Sequence, residues 1–267
     1  MHRALFAIFG NPVAHSKSPL MHNRAFRILG YPGCYGRYRL EEGERLRERF
    51  LELGLAGINV TVPHKEHAYR ACDTLDPFAE KVGAVNTVLL REGKLLGYNT
   101  DAPGFLRVVE ESGGGKRVLF LGAGGTAASS AEILREAGYE VTILNRSVPR
   151  LESFAERGFE TATWERFRPA GYDLVVNMSS AGLEDESLPA PEELLRPVLE
   201  RSRAALDVIY GKRTPFLRLA ESLGLPVRDG SAMLLYQGVI AFDLFTGGRF
   251  RREEIEKAMA GAFELER

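Results

Sequence analysis

Arg117-Val118-Leu119-Phe120-Leu121-Gly122-Ala123-Gly124-Gly125-Thr126-Ala127 is the stretch on which the reading of the fold turns. An apolar run ends in closely spaced glycines. The pattern then becomes helical over Thr126–Ala137, and beyond Gly138 a second apolar run, Glu140–Leu144, follows. Strand, glycine turn, helix and strand make a βαβ unit, and the glycines keep the G-x-G-x-x-A spacing of a dinucleotide-binding turn. Gly122 permits the tight turn, Gly124 lets the backbone approach a pyrophosphate, and Ala127 lets helix and strand lie close. The first N–H groups of the helix, from Ala123 through Gly125 and Thr126, would face the phosphates, and the Thr126 hydroxyl can join them.

The end of the next strand selects between two dinucleotides. A site for NAD usually carries an acid there to accept from the ribose hydroxyls. This chain has Asn145-Arg146-Ser147, with Arg150 close behind. An acid would repel a 2′-phosphate, whereas a guanidinium can bind one bidentately, so the reading is NADP.

Outward from this unit, short apolar runs alternate with amphipathic stretches, which predicts an α/β protein. In the second half, further strands are predicted at Asp173–Val176 and Ala204–Val208, with helices at Val148–Arg157, Pro191–Glu200 and Pro215–Leu223. A long helix starts at Ser231 and a charged one spans Arg252–Phe263. The first half predicts strands at Leu5–Phe9, Cys34–Arg39, Gly57–Val60, Val85–Leu90 and Lys94–Tyr98. Its helices fall at Pro19–Leu29, Gly43–Leu53, Glu66–Ala71, Pro77–Val82 and Pro103–Glu111. Ser112-Gly113-Gly114-Gly115-Lys116 reads as a junction between two lobes.

Composition narrows the class. The 267 residues suit one large or two modest domains, and 45% hydrophobic with 27% charged residues is ordinary for a globular chain. Lys and Arg number 35 against 36 Asp and Glu, so no basic excess points to nucleic acid or an anionic membrane. The opening apolar run is far below the ~20 residues that cross a bilayer, and no targeting segment is visible. Two cysteines, Cys34 and Cys72, make no disulfide framework and fit a cytoplasmic protein. Monomer and homodimer are both compatible with the surface composition.

The remaining polar signals lie in the first hundred residues. Asn11-Pro12-Val13-Ala14-His15-Ser16-Lys17-Ser18-Pro19 is a polar loop leading into a helix, and Ser16 and Ser18 could hold a carboxylate there. Read more simply, Ser18 is a helix N-cap. Asn59, Thr61 and Lys65 stand at the end of one strand, Asn86 follows a Gly83-Ala84 turn, and Asp101 closes the lobe. Hydrogen-bonding side chains at several strand ends suggest a small polyhydroxylated ligand.

These segments resemble the shikimate dehydrogenase family, whose members reduce 3-dehydroshikimate to shikimate with NADPH in aromatic amino acid biosynthesis. The matching stretches are Gly10-Asn-Pro-Val-Ala-His-Ser-Lys-Ser-Pro-Leu-Met-His-Asn23, Asn59-Val-Thr-Val-Pro-His-Lys65, Gly83-Ala-Val-Asn-Thr87 and Gly97-Tyr-Asn-Thr-Asp101. Gly122-Ala-Gly-Gly125, Asn145-Arg146 and Met233-Leu-Leu-Tyr-Gln237-Gly238 complete the set, which runs in family order over nearly the whole chain. The resemblance implies a substrate-binding lobe of residues 1–102 plus 238–267 and a Rossmann-type NADP-binding lobe of 103–237. The C-terminal helices would return to the first lobe. Ser16 and Ser18 would bind the substrate carboxylate, with Tyr210 near it, while Asn59, Thr61, Asn86 and Gln237 contact hydroxyls. Lys65 and Asp101 would be the catalytic pair, and the residues leave open which of them transfers the proton.

This chain departs from the family pattern at Tyr210-Gly-Lys-Arg-Thr214-Pro215, which lacks an internal proline and is one residue shorter. It also departs at Asn177-Met178-Ser179, and at Thr126, where a smaller residue is commoner. Two other functions compete with this reading. A quinate/shikimate dehydrogenase of the same family tends to accept NAD, against which Arg146 and the Ser16–Ser18 pair lean. A non-catalytic NADP-responsive binding protein would have no need of both Lys65 and Asp101.

All five histidines fall at or before His67. His64 and His67 are three apart, not the four of a zinc-protease helix, and Lys65 would set a cation beside the metal, so no metal site is read.

Overall fold

The computed structural model describes residues 3–113 and 115–262. Gly114 of the expected junction and Phe263 at the expected end of the last helix lie outside them. The chain divides into two compact units. One runs through Gly104 and resumes at Leu235, and the other is Phe105–Leu234.

The first unit is built on a six-stranded sheet. Its strand β1 (Ala4–Gly10) is buried from Phe6 onward, as a strand flanked by parallel neighbours should be. Those neighbours are β2 (Gly33–Arg39) and β3 (Gly57–Val60), joined to it through α1 (Ser18–Ile28) and α2 (Leu46–Glu52). After α3 (Lys65–Ala71), β4 (Thr74–Leu75) and α4 (Pro77–Val82), the hairpin β5 (Thr87–Arg91) and β6 (Lys94–Tyr98) leads into α5 (Asp101–Glu111). The sheet order is β2-β1-β3-β5-β6-β4. Because β5 runs antiparallel to both β3 and β6, its first residue lies opposite their C-terminal ends, with Asn59 opposite Thr87 and Thr87 opposite Tyr98. Phe9, Phe50, Ile58, Val88 and Leu95 form the fully shielded centre of one core. Each contributes roughly 2–3 kcal/mol of transfer free energy.

The second unit is all parallel. It contains β7 (Arg117–Leu121), α6 (Gly125–Glu136), β8 (Glu140–Leu144), α7 (Pro149–Glu156), β9 (Glu160–Ala162), β10 (Leu174–Asn177), α8 (Glu192–Leu199), β11 (Ala205–Asp207), α9 (Pro215–Ser222) and β12 (Val227–Arg228). The order β9-β8-β7-β10-β11-β12 is the 3-2-1-4-5-6 arrangement of a doubly wound dinucleotide fold. Its topological switch lies between β7 and β10, at the ends of which Gly122 and Met178 stand.

Two helices complete the chain, α10 (Ser231–Thr246) and α11 (Arg252–Ala260). The latter lies on α1 in the first unit. Gly104 lets α5 and α10 come close there, since a Cβ at that position would lie 2.8 Å from the Gln237 backbone nitrogen.

Several expected boundaries move. The helix predicted from Pro103 begins at Asp101, because Asn99 Oδ1 accepts from the Ala102 N–H and caps it. The helix predicted from Thr126 begins at Gly125. Ser18 is not an N-cap: it is the first helical residue, and its own N–H donates to Ser16 Oγ at 3.3 Å. Strands β4, β9 and β12 have no counterpart in the sequence reading.

Candidate active site

The strand ends of the first unit gather a buried set of amides and hydroxyls. Asn59 Nδ2 donates to Thr87 Oγ1 at 2.9 Å and to the Asn86 carbonyl at 3.3 Å, while its Oδ1 accepts from the Tyr35 hydroxyl at 2.6 Å. Asn86 Nδ2 donates to Thr100 Oγ1 at 3.0 Å, and its Oδ1 accepts from the Thr100 N–H at 2.7 Å. Asn59, Asn86, Thr87 and Thr100 are all buried. This follows from the strand directions, which bring β3, β5 and β6 to one row. Buried polar side chains of this kind are rigid because every lost hydrogen bond carries a desolvation penalty.

Lys65 and Asp101 are joined beside this row. Lys65 opens α3 and Asp101 opens α5, and Lys65 Nζ donates to Asp101 Oδ2 across 2.6 Å. Their side chains keep 20% and 14% of their surface exposed. The pair is therefore half-shielded and still reachable by a ligand.

The other residues named for the substrate are distributed as follows. Ser16 and Ser18 are buried in the turn that enters α1, and Arg37 holds that turn by donating through Nε and Nη2 to the Ser16 carbonyl at 3.2 and 2.6 Å. Thr61, past β3, is fixed through its backbone, with its N–H on the Phe9 carbonyl at 2.8 Å. Gln237 is buried in α10 within the same unit. Tyr210 belongs to the second unit, half-buried after β11.

In the second unit the glycine turn opens on a concave groove of about 590 Å³. Gly122, Ala123, Gly124, Asn145, Arg146 and Arg150 line it on one side, and Ser179, Ser180 and Ala181 face them across the strand switch. Gly122 has φ +117°, and a Cβ there would sit 3.1 Å from the Ser179 nitrogen. A Cβ at Gly124 would meet no protein atom within 4 Å, so the backbone is open on the groove side. Gly125 and Thr126 begin α6 with their N–H groups unclaimed by the helix, while Ala127 is fully buried behind them. Arg146 and Arg150 are both exposed at the groove's edge. A turn stripped of side chains, a helix N-terminus and two guanidinium groups fit a dinucleotide that carries an extra phosphate.

The loop opposite the glycines is tied down from beneath. Asn177 Oδ1 accepts from the Ser179 N–H and hydroxyl at 3.0 and 2.7 Å, while its Nδ2 donates to Asp207 Oδ2 at 3.0 Å. Asp207 also accepts from the Thr214 hydroxyl at 2.6 Å and from the Ile209 N–H at 2.9 Å. Burial raises the Asp207 carboxyl above its ordinary pKa, and these donors offset part of the rise.

The histidines have separate surroundings. His64 Nε2 donates to the Leu40 carbonyl at 2.8 Å, and His67 Nε2 lies 3.0 Å from Glu44 Oε1. His22 is fully buried, and neither ring nitrogen has a partner among the described residues. Burial lowers its pKa to about 3. His15 is exposed. Thr87 and Thr100 went unnamed as site residues although they belong to the Asn86-Thr87 and Asn99-Thr100-Asp101 stretches. Tyr35 carried no sequence signal at all.

A doubly wound dinucleotide unit, paired with an α/β unit that buries a polar row beside a lysine–aspartate pair, defines a dinucleotide-dependent oxidoreductase. The comparisons give the family. Residues 8–88 match the model of the shikimate dehydrogenase substrate binding domain. The chain is 42% identical to the NADP-dependent shikimate dehydrogenase of Helicobacter hepaticus over 97% of each chain. It is 44% identical to that of Thermus thermophilus over 91% of this chain and 92% of the other. A crystal structure of the Thermus thermophilus enzyme in complex with NADP(H) and shikimate superposes with a TM-score of 0.85. That match has 41% identity and covers 97% of this chain and 99% of the other. The chain belongs to the NADP-dependent shikimate dehydrogenases.

Proposed function

We propose that this chain catalyses the reversible NADPH-dependent reduction of 3-dehydroshikimate to shikimate, with Lys65 and Asp101 as its catalytic pair. The observation that carries the residue assignment is the 2.6 Å contact of Lys65 Nζ with Asp101 Oδ2 beside the buried amide–hydroxyl row. When bound, NADPH supplies the hydride. The carbonyl oxygen that becomes an alkoxide then needs a proton, and Lys65 Nζ donates it, while Asp101 holds the ammonium in place. Acid–base help of this kind is worth about 10²- to 10⁴-fold.

Binding divides between the two units. Asn86 has a second amide hydrogen beyond the one on Thr100, and Asn59 Oδ1 keeps an acceptor lone pair beyond the one taken by Tyr35, so the row can meet hydroxyls as both donor and acceptor. Ser16 and Ser18 receive the carboxylate, and Thr61, Gln237 and Tyr210 complete the substrate contacts. Gly122, Ala123, Gly124, Gly125 and Thr126 hold the pyrophosphate, and Asn145, Arg146 and Arg150 hold the 2′-phosphoadenosine end.

We place the protein in the cytoplasm, as a monomer or homodimer. Cys34 and Cys72 are both free thiols, which fits a reducing compartment, and no helix among the described residues is long and apolar enough to cross a membrane. The purified chain, given shikimate and NADP+ and followed at the NADPH absorbance, tests the activity. Parallel assays with quinate and with NAD+ separate it from the broader quinate/shikimate enzymes, and silence in all four combinations would refute an enzymatic role.

A further inference from the structure

Among the further residues that line the dinucleotide groove is Trp164, which no family motif contains. Trp164 follows β9, two residues beyond Ala162, and Ala162 pairs with Leu144 at the end of β8. The Asn145 N–H donates to the Ala162 carbonyl at 3.2 Å, so the segment carrying Trp164 is tied to the one carrying Arg146. The indole therefore belongs to the side of the groove that Arg146 and Arg150 occupy, with Leu188 and Pro189 also in the lining.

Packing accounts for only part of this side chain. The ring is half-buried against the core of the second unit, yet Nε1 is shut off from solvent with no hydrogen-bond partner among the described residues. Native proteins leave few buried polar groups unpaired, and a site that needed only bulk would be filled by an apolar ring. Next to two guanidinium groups that fit a 2′-phosphate, an aromatic ring in the groove lining matches a purine. A purine offers a π face on which the indole can stack.

We propose that Trp164 contacts the adenine of NADP and contributes a substantial share of the cofactor's affinity. This rests on the reading of the groove as the NADP site. Base–aromatic stacking of the usual strength corresponds to roughly 10- to 100-fold in binding.

Trp164 is the single tryptophan of the chain, so its emission is the whole indole signal. The wild-type protein is titrated with 2′,5′-ADP, which carries the adenosine end, and with nicotinamide mononucleotide, which lacks it, by calorimetry and by fluorescence. The adenosine fragment should change the emission saturably and the nicotinamide fragment should not. Trp164→Leu should weaken NADP+ binding by roughly 10- to 100-fold, and Trp164→Phe, which keeps a ring face, should lose less. If 2′,5′-ADP binds without altering the emission, or Trp164→Leu binds NADP+ like the wild type, the proposal is overturned and the groove reading stands. If 2′,5′-ADP does not bind the wild type at all, the groove reading falls and the proposal with it. Should Trp164→Leu fail to fold, the wild-type titration still decides.

Discussion

Tyr35 donates its hydroxyl hydrogen to Asn59 Oδ1 across 2.6 Å, and both side chains are buried. The His22 ring stacks on Tyr35 with centroids 4.3 Å apart and planes 5° from parallel. Burial pushes the Tyr35 phenol well above its ordinary pKa, so it remains a donor throughout the working range. A donor on Oδ1 fixes which end of the Asn59 carboxamide faces Thr87.

Tyr35→Phe removes that single hydrogen bond and leaves a buried oxygen unpaired. The variant should lose about 1–3 kcal/mol of stability. Its KM for shikimate should rise roughly 5- to 15-fold with a much smaller change in kcat. Steady-state kinetics alongside a denaturant melt check this. An unchanged KM in a destabilised protein would mean that the bond serves folding alone.

His22 makes stability depend on acid. Its pKa is about 3 in the folded protein, well below the ordinary 6.5 of the unfolded chain, because burial disfavours the charged ring. The unfolded chain therefore takes up a proton below about pH 6.5 while the folded one does not. Stability contributed by the neutral ring is complete above pH 6.5 and declines as the pH falls toward 3. The full shift corresponds to roughly 4–5 kcal/mol. His22→Leu should flatten this part of the stability–pH curve, as urea melts at pH 7, 5 and 4 would reveal; an equally steep loss in the variant would assign the acid sensitivity elsewhere.

Arg146 bears on cofactor choice. Arg146→Ala should raise the KM for NADP+ by roughly 10- to 100-fold, the range of a lost charge-assisted phosphate contact. The KM for NAD+ should change little. Equal losses for both cofactors would remove Arg146 from 2′-phosphate recognition, and Arg150→Ala provides the companion measurement.

The sequence carried the long elements and much of the site vocabulary. The Arg117–Ala127 stretch reads as a dinucleotide turn because glycine spacing, strand and helix agree locally. Asn59, Lys65, Asn86 and Asp101 each stand within short polar stretches that break an apolar pattern. What stayed hidden depends on partners distant in the chain. Thr74–Leu75, Glu160–Ala162 and Val227–Arg228 are strands of two or three residues, too short to display a period. Thr87 and Thr100 meet only because β5 runs antiparallel to both its neighbours. Tyr35 looks like any strand tyrosine until the fold sets it against Asn59. Ser18 reads as a cap from its position before a helix, whereas Ser16 provides the acceptor.

We propose that Lys65, held by Asp101, supplies the proton in the reduction. The most direct measurement is the turnover of Lys65→Ala with saturating shikimate and NADP+, followed at the NADPH absorbance, with folding checked by its melting transition. Turnover of the variant should fall by about 10²- to 10⁴-fold, with KM for shikimate changed far less. A folded Lys65→Ala protein that turns over near the wild-type rate would contradict it.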